Sequence, residues 1–405
     1  MLPTSFMLIA GEASGDRLAS ELVTALRAEW SRRNGELERG NQPASNGFTP
    51  RFFGAGSKAM REAGVEIIED MSHRGVIGVS DVLKRVVEFA QLMNRLVQLA
   101  DTRQPDVIIC VDYGAFNLRF QSRLRRLLRS RRGPFNNWRP KLIQFVSPQV
   151  WASRPGRAFA MERNLDLLIS ILPFEQVWFA QRTPDLKLAF VGHPLIGRHA
   201  GATAEPSLRR LSAQSCPLIA LLPGSRRGEL RQHLPVMMDV VRRLRSELNC
   251  LFKLVVPNNH LAAQAREAIG SEPVEVVVGD LSEVLREATI GISKTGTITL
   301  ELALYGVPAV TFYKTSWLTY WIARWLVKVK WLSMPNLLAG AAVLPEFVQQ
   351  AATGDAIARA ALELLNGQPQ RQAQREKLRA IVKQLGEPGA PARAAAAIFN
   401  LFSTQ

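Results

Sequence analysis

Short apolar runs alternate with longer amphipathic stretches along most of this 405-residue chain. Continuous apolar runs between helical patterns are typical of strands in parallel sheets that helices cover on both faces. The predicted strands are 6–10, 51–55, 107–111, 141–146, 167–171, 218–222, 252–256, 274–278, 290–293 and 309–313. The pattern therefore predicts an α/β protein with two doubly wound domains.

Polar, turn-rich segments mark the predicted boundaries. Residues 197–210 are rich in Gly, Ala and polar residues without periodicity, which predicts a linker between the two domains. Residues 30–50 are predicted to form a polar loop insertion. The predicted parts are an N-terminal domain, a C-terminal domain and a terminal helical segment, at 1–205, 206–375 and 376–405. For the terminal segment we consider packing back on the first domain.

The net charge of the chain indicates which classes of binding partner to expect. The chain has 51 Lys and Arg against 35 Asp and Glu, a formal net charge of +16. Such a charge favours nucleic acid, an acidic membrane surface or a phosphorylated substrate. The densest run, 123–132, has leucines at helical spacing and no aromatic residues. It is typical of a solvated helix face, leaves a lipid-phosphate contact open, and gives little support to single-stranded nucleic-acid binding.

No run of residues is apolar enough to predict a bilayer span. The best candidate, 317–331, is interrupted by Arg324, Lys328 and Lys330. Its tryptophans, aliphatic residues and cations suit a helix at a headgroup interface, and a core-facing amphipathic helix is an equal alternative. Three separate cysteines and an N-terminus without a basic, apolar leader predict a cytoplasmic protein.

Loops after the predicted strands carry the candidate chemistry, because open α/β sheets bind ligands beyond the carboxyl ends of their strands. In the first half, Asp112 ends a strand, where a partly desolvated carboxylate could accept a proton from a substrate hydroxyl. A helix cap is the commoner role for such a residue. Other candidates in this half are Glu12, Ser14, Gly15, Asp16, Asn117, Ser147, Trp151 and His193. An ordinary turn is the alternative for residues 11–16, and a turn-stabilising role is the alternative for His193.

In the second half, a strand breaks at Pro223 and Gly224 and restarts as a helix with Ser225 and Arg226 in its first turn. Glycine amides, a helix N-terminus and a guanidinium together suit a phosphate. The alternative is an ordinary turn with solvated arginines.

A second turn of this kind follows the strand at 290–293. Its Thr295, Gly296 and Thr297 offer hydroxyls and amides to a phosphate or ribose, and Glu301 follows one helical turn later. Asn336 lies in a further predicted turn.

Several common motifs are missing from the sequence. It has neither GxGxxG nor GxxxxGK[ST], no His, Cys or Asp cluster with metal-ligand spacing, no DxD pair and no GxSxG. We therefore expect no metal and no separate cofactor. Arg226, the turn 294–297 and helix dipoles could neutralise a leaving diphosphate instead.

Eight motifs between Gly11 and Phe347 occur in one order: GEASGD, PDVIICVDYGAFN, VSPQVWASR, LPFE, GHPL, LLPGSRRGEL, TGTITLE and PNLLAG. This set resembles the lipid-A-disaccharide synthases. The resemblance implies a GT-B fold, in which two Rossmann-like domains face a central cleft. It also implies an inverting hexosyltransferase that transfers 2,3-diacylglucosamine from UDP to the 6-hydroxyl of 2,3-diacylglucosamine 1-phosphate, forming the β(1→6) disaccharide of lipid A in lipopolysaccharide biosynthesis.

At matching motif positions, the resemblance implies that Asp112 is the general base and that Arg226 holds the UDP diphosphate. The implied nucleotide-binding residues are Gly224, Ser225, Thr295, Gly296, Thr297, Glu301 and Asn336. Two positions depart from the family pattern: Ala115 stands where a second acid is usual, and Thr295 stands where a serine is usual. Any role of that second acid is therefore in doubt in this chain.

Residues 75–99 have too many apolar positions for one buried stripe. The resemblance implies a surface here that meets the membrane and acyl chains, with Arg95 also among lipid phosphates. The expected membrane contacts are Val76, Ile77, Val79, Val82, Leu83, Lys84 and Arg85. The implied partners are UDP-diacylglucosamine, diacylglucosamine 1-phosphate and the anionic inner membrane at its cytoplasmic face, without nucleic acid. A homodimer is left open.

Two rival hypotheses stay open at this point. One is another GT-B protein, such as a UDP-N-acetylglucosamine transferase or 2-epimerase that acts on a soluble sugar. The other is a basic membrane-binding or nucleic-acid-binding scaffold without activity, against which the presence of both Asp112 and Arg226 argues.

Overall fold

The computed structural model describes residues 2–39, 49–72, 82–133, 135–198 and 216–402 of the chain. The chain divides into two compact units. The first comprises Met1–Gly197 together with Glu387–Gln405, and the second comprises Arg198–Gly386. Each unit is built on one parallel sheet with helices packed against it, as the alternation of apolar runs and amphipathic stretches predicts.

The first unit has a seven-stranded sheet in the order β3-β2-β1-β4-β5-β6-β7. Its strands are β1 (Ser5–Ala10), β2 (Arg51–Gly56), β3 (Glu66–Asp70), β4 (Val107–Val111), β5 (Lys141–Phe145), β6 (Leu167–Ser170) and β7 (Leu188–Phe190). The helices of this part are α1 (Ala13–Arg39), α2 (Lys58–Glu62), α3 (Val82–Arg103), α4 (Gly114–Ser130), α5 (Val150–Ser153), α6 (Arg157–Asn164), α7 (Phe174–Ala180) and α8 (Pro194–Arg198).

The second unit has a six-stranded sheet in the order β10-β9-β8-β11-β12-β13. Its strands are β8 (Leu218–Leu222), β9 (Leu251–Val256), β10 (Glu275–Val278), β11 (Ile290–Lys294), β12 (Ala309–Tyr313) and β13 (Glu346–Val348). Its helices are α9 (Arg227–Glu247), α10 (Asn259–Ile269), α11 (Leu281–Glu287), α12 (Ile298–Leu304), α13 (Trp317–Leu326), α14 (Met334–Ala339), α15 (Gly354–Asn366) and α16 (Gln368–Gln384).

The central strands are apolar throughout because both faces of each sheet are covered. In β1, Phe6 and Leu8 pack into one apolar cluster, whereas Met7 and Ile9 pack into another on the opposite face. Successive side chains of a strand point to opposite faces, so a strand buried on both sides shows no polar alternation.

The end of the chain returns to the first unit as α17 (Ala390–Asn400), which packs against α1. Phe399 meets Phe6 with ring centroids 6.2 Å apart, and Arg33 Nη2 donates to Asn400 Oδ1 at 2.7 Å. Because α16 belongs to the second unit and α17 to the first, the two helices of the predicted terminal segment have different partners.

All ten predicted strands are present, with ends that differ by at most one residue. The prediction missed β3, β7 and β13, which are edge strands of three to five residues; β3 and β13 contain acidic residues, and β7 is only three residues long. An edge strand has one hydrogen-bonded neighbour and little buried surface, so its composition differs less from that of a loop.

The predicted loop at 30–50 is wrong over its first part. Helix α1 continues to Arg39, and Trp30 is buried in it. The physical reason is the spacing of Leu22, Leu26 and Trp30, which lie four residues apart and extend the same buried helix face. Residues 40–48 lie outside the described residues, as do residues 199–210 of the predicted linker. Over the described residues, no helix combines the length and apolarity that a bilayer span needs.

Candidate active site

Each sheet reverses its strand order between two neighbouring strands, β1 and β4 in the first unit and β8 and β11 in the second. In open α/β sheets, ligands bind beyond the carboxyl ends of the strands at such a point. Residues 11–16 span the short loop after β1 and the first turn of α1, and Asp112 directly follows β4. The loop after β8 contains residues 223–226, and residues 295–297 follow β11. Most sequence-predicted candidates therefore fall at the two points where this fold forms ligand crevices.

The backbone of Asp112 has an unusual conformation. Asp112 and Tyr113 both have left-handed conformations, with φ of 51° and 46°. Such a conformation costs on the order of 1 kcal/mol or more at a residue other than glycine, and it persists only where the surroundings impose it. Two amide side chains do so here: Asn117 Nδ2 donates to the Asp112 carbonyl oxygen at 2.8 Å, and Gln144 Nε2 donates to it at 3.1 Å.

These amides belong to a buried network that sequence reasoning missed in part. Gln121 Nε2 donates to Gln144 Oε1 at 2.7 Å, and Gln144 Nε2 also donates to the Val146 carbonyl at 3.0 Å. Val146 is itself left-handed, with φ of 66°. Gln144 thus links the two strained residues that follow β4 and β5. The sequence signal for Gln144 was an amide side chain within LIQF, the otherwise apolar end of β5.

The loops after β4 and β5 pack closely at this edge. A Cβ atom on Gly114 would lie 2.8 Å from Cβ of Pro148, so a larger residue at position 114 would push the loop carrying Asp112 away. Asn117 is fully buried, and its amide nitrogen is used within the protein. We infer that Asn117 positions Asp112, and a direct substrate contact by Asn117 stays a prediction.

The first turn of α1, which follows β1, lies close to Asp112. A Cβ atom on Gly15 would lie 3.6 Å from Cβ of Asp112, which is ordinary van der Waals contact. Glu12 and Ser14 are exposed at the start of α1, within this same loop region. The structure therefore brings three of the predicted residues, Glu12, Ser14 and Gly15, to the edge that carries Asp112.

The side chain of Asp16 is occupied by hydrogen bonds within the protein. Its carboxylate is buried and accepts hydrogen bonds from the backbone N–H groups of Ser57 at 2.6 Å and Ala59 at 2.9 Å. It ties the loop after β1 to the start of α2 and stabilises the unpaired amides there. His193 is also buried, and its Nδ1 accepts from the Leu195 amide at 3.3 Å. This contact agrees with the turn-stabilising alternative for His193.

A buried carboxyl group lies beside the ends of β5 and β6. Glu175 is 1% exposed, accepts from Trp151 Nε1 at 2.9 Å, and also accepts from the Ser170 hydroxyl. Burial raises the pKa of Glu175 to about 7, although hydrogen bonds from Ser170, Trp151 and Ser147 oppose this rise. Ser147 and Trp151, expected to touch substrate, are thus directed to Glu175. The LPFE motif contained this residue, but its spacing alone did not mark it as part of a site.

In the second unit, the loop after β8 has the shape expected of an anion-binding turn. Gly224 has φ of 123°, and a Cβ atom there would overlap the Glu229 carboxylate at 2.3 Å, so this position needs glycine. Ser225 N–H donates to Glu229 Oε2 at 2.8 Å. Arg226 is exposed at the N-cap position of α9.

An ion pair joins the first turn of α9, which follows this loop, to the last residue of β11. Lys294 Nζ lies 2.9 Å from Glu229 Oε1, and both side chains are less than one-fifth exposed. Burial alone would raise the pKa of Glu229, but the Lys294 hydrogen bond and charge, the Ser225 amide and the charge of Arg226 together lower it. The two loops that flank the strand-order reversal are therefore held together by charge.

His233, which the sequence analysis did not identify, stabilises the loop after β8. Its Nδ1 lies 2.7 Å from the Pro223 carbonyl oxygen, and its Nε2 accepts from the Lys314 amide at 3.3 Å. Burial lowers the pKa of His233, which favours the neutral ring with Nδ1–H donating to Pro223. A histidine within the apolar stripe of α9 was the available signal.

The turn after β11 matches its prediction in shape. Gly296 has φ of 132°, Thr295 is buried, and Thr297 is exposed at the N-cap position of α12. Thr299 Oγ1 donates to the Gly296 carbonyl at 2.6 Å and so fixes the turn. Glu301 lies one turn into α12 and is partly exposed.

Asn336 has a different environment from the one expected. It is fully buried in α14, where Oδ1 accepts from the Val343 and Leu344 amides at 2.8 Å each. Its Nδ2 donates to the Leu344 carbonyl at 2.9 Å and to Glu346 Oε2 at 3.2 Å. All of its hydrogen-bonding groups are used internally, so we infer that Asn336 stabilises the segment leading into β13.

The predicted membrane contacts are only partly visible. Val76, Ile77 and Val79 lie outside the described residues, as do the side chains of Val82, Leu83, Lys84 and Arg85. Further along α3, Val87 is 54% exposed, whereas Leu92 and Leu96 are buried. Arg95, expected among lipid phosphates, instead pairs with Glu69, with Nε 2.5 Å from Oε1. The Arg95 side chain is 47% exposed in this pair, and its contact with lipid phosphates stays a prediction.

Within the described part of the chain, no three His, Cys, Asp or Glu side chains come together in a group able to hold a metal ion.

Comparison with known proteins agrees with this architecture. A family model described as lipid-A-disaccharide synthetase matches residues 6–399. A lipid-A-disaccharide synthase of Solibacter usitatus is 33% identical, with 98% of each chain covered. One of Myxococcus xanthus is 34% identical, again with 98% of each chain covered.

Solved structures show the same fold at low sequence identity. A putative UDP-N-acetylglucosamine 2-epimerase from Listeria monocytogenes aligns with a TM-score of 0.60 at 16% identity, over 100% of this chain and 98% of its own. MurG of Acinetobacter baumannii aligns with a TM-score of 0.52 at 13% identity, over 97% and 98%. The arrangement is thus the two-domain, Rossmann-like GT-B fold.

Proposed function

Because the chain belongs to the lipid-A-disaccharide synthase family, we propose that Asp112 and Arg226 are the two groups that drive its glycosyl transfer. The chain is a hexosyltransferase of lipid A biosynthesis. It transfers 2,3-diacylglucosamine from UDP-2,3-diacylglucosamine to 2,3-diacylglucosamine 1-phosphate with inversion, and it releases UDP and the β(1→6) disaccharide 1-phosphate.

Asp112 acts as the general base in this proposal. Its backbone position is the observation on which the assignment depends: Asp112 lies at the ligand edge of the sheet in a strained backbone conformation, and the buried amides of Asn117 and Gln144 hold its carbonyl oxygen. Asp112 takes the proton of the acceptor 6-hydroxyl while that oxygen attacks the anomeric carbon. The transition state resembles an oxocarbenium ion, so attack needs a well-placed base more than a strong one.

Arg226 and its loop act on the departing side. As the glycosidic bond breaks, negative charge grows on the UDP diphosphate. The exposed guanidinium of Arg226 and the N-terminus of α9 offer positive charge to it, and the turn with Thr295, Gly296 and Thr297 offers hydroxyls and amides. In this proposal no metal ion and no separate cofactor is required, since UDP is part of the donor.

We also propose that the protein binds peripherally to the cytoplasmic face of the inner membrane. Both sugar substrates are diacylated and therefore reside in a membrane, and the net charge of +16 favours an anionic surface. The exposed Val87 on α3 is compatible with a lipid contact near residues 76–85.

Mass spectrometry of the reaction products tests the assignment. Purified protein with both acylated substrates in detergent should yield disaccharide 1-phosphate and UDP in equal amounts. Turnover should survive excess chelator, and UDP-N-acetylglucosamine with a soluble acceptor should give no product. UDP release without disaccharide would contradict the acceptor assignment. Size-exclusion chromatography of the same sample addresses the homodimer that the sequence left open.

A further inference from the structure

Helix α13 carries an apolar face that nothing in the described structure covers. It has no buried residue, which removes the core-facing alternative for the helical part of this segment, Trp317–Leu326. The spacing of its large apolar residues places them on one helix face. The exposed fractions are 54% for Trp317, 74% for Leu318, 60% for Trp321, 53% for Ile322 and 89% for Trp325. The partly covered residues Tyr320 and Ala323 lie on the other side. A contiguous exposed apolar face of this kind marks an interaction surface.

The composition around α13 indicates what the partner is. Four of the eight tryptophans in the chain lie between Trp317 and Trp331. From Glu301 to Glu346 the intervening sequence has no Asp or Glu, although it contains Lys314, Arg324, Lys328 and Lys330. Within the described residues no carboxylate pairs with the last three of these cations. The surface is therefore both aromatic and positively charged.

We propose that α13 and the cations that follow it form a contact of the second unit with an anionic lipid bilayer. Tryptophan prefers the headgroup level of a membrane, where its ring is partly apolar and its N–H can reach water. Arg324, Lys328 and Lys330 then meet lipid phosphates, each of which attracts a nearby cation. A second copy of this chain would bring the same positive charge against the surface, which disfavours self-association there.

This contact is distinct from the one expected near 76–85, because it belongs to the unit that carries the proposed nucleotide loops. The consequence is that the nucleotide-binding unit has a membrane contact of its own and does not depend on the first unit to find the lipid surface. The contact requires only a bilayer, so it stands or falls separately from the glycosyl transfer.

Vesicle sedimentation tests the proposal with a matched pair of variants. Trp321→Ser with Trp325→Ser removes two exposed aromatic side chains from α13, and Phe135→Ser with Phe159→Ser removes two from the first unit. With phosphatidylcholine vesicles that contain phosphatidylglycerol, the α13 variant should bind ~10-fold more weakly and the control should bind like wild type. Unchanged UDP affinity by calorimetry shows that the variant is folded.

The charged half of the surface has its own test. Lys328→Gln with Lys330→Gln should weaken binding to vesicles with phosphatidylglycerol and leave the weak binding to pure phosphatidylcholine unchanged. Brominated lipids should quench the tryptophan fluorescence of wild type and quench that of a Trp321→Phe, Trp325→Phe variant much less.

Three outcomes would overturn the membrane contact. The first is full vesicle binding by the α13 serine variant. The second is a wild-type dimer that becomes a monomer in this variant, which would assign the face to a second copy. The third is normal vesicle binding with a raised KM for the acylated donor, which would assign it to acyl chains. If wild-type protein in detergent formed no disaccharide product, that result would instead refute the proposed function.

Discussion

The loop that carries Asp112 and the loop that carries Arg226 each follow one of the two strands between which their sheet reverses its order, yet they are held in different ways. Neutral amides from Asn117 and Gln144 fix the strained peptide of Asp112. The loop of Arg226 is instead tied by the Glu229–Lys294 ion pair. Neutral amides can fix a base without placing a charge beside it, whereas a loop that binds a diphosphate benefits from charged neighbours.

Removal of the base should have the largest effect. Asp112→Ala should reduce turnover ~10²- to 10⁴-fold and leave UDP affinity nearly unchanged, because the base acts on the acceptor and not on the nucleotide. Steady-state kinetics and calorimetry measure the two quantities. Asp112→Asn, which keeps the shape of the side chain, should be similarly impaired. A normal rate in either variant would exclude Asp112 as the base.

Removal of Arg226, in the loop after β8, should affect UDP binding as well as turnover. Arg226→Ala should weaken UDP binding and turnover together, each ~10-fold or more, because the guanidinium acts on a charged group present before and during the reaction. The neighbouring Arg227→Ala provides the matched control, since Arg227 is also exposed but begins the helix proper. Equal losses in both variants would point to a general effect of charge and not to a contact of Arg226.

Gln144 tests whether the amide network matters for chemistry. Gln144→Leu leaves the carbonyls of Asp112 and Val146 without this donor and should lower kcat ~10-fold with little change in KM for the donor. A residue that served stability alone would lower the melting temperature without a selective loss of kcat in the protein that remains folded. Kinetics at a temperature well below the transition separate these two results.

The smallest expected effect is on stability, and its pH dependence distinguishes the Glu229–Lys294 ion pair from the neutral amides around Asp112. The pKa of Glu229 is lowered in the folded protein, so its ion pair contributes stability above the pKa of an unfolded glutamate. That contribution is lost as the pH falls through the lower, folded-state pKa. Wild type should therefore exceed Glu229→Gln in unfolding free energy by about 1 kcal/mol at neutral pH, and the difference should vanish in acid. Denaturant titration at several pH values measures it, and a difference independent of pH would contradict the ion-pair account.

Local patterns were sufficient to predict the central strands and the loops that follow them. A strand covered on both faces must be apolar along its length, and the residues after its carboxyl end reach the ligand edge in any doubly wound sheet. Asp112, Arg226 and the 295–297 turn could be placed for this reason. The edge strands β3 and β13 and the continuation of α1 to Arg39 could not, because they depend on neighbours and on a helix face that extends into polar sequence.

The sequence by itself determined the two-sheet architecture, the family and the positions of the reactive loops, since each is encoded by residues close together in the chain. Only the tertiary structure decided which polar side chains remain available to a ligand. Asp16 and Asn336 looked like ligand contacts, but their side-chain oxygens accept hydrogen bonds from backbone amides of the protein itself. Gln144, His233 and Glu175 looked unremarkable but hold the loops or lie buried beside them. Their partners are brought together by folding, and a hydrogen bond depends on distance in space and not on spacing along the chain.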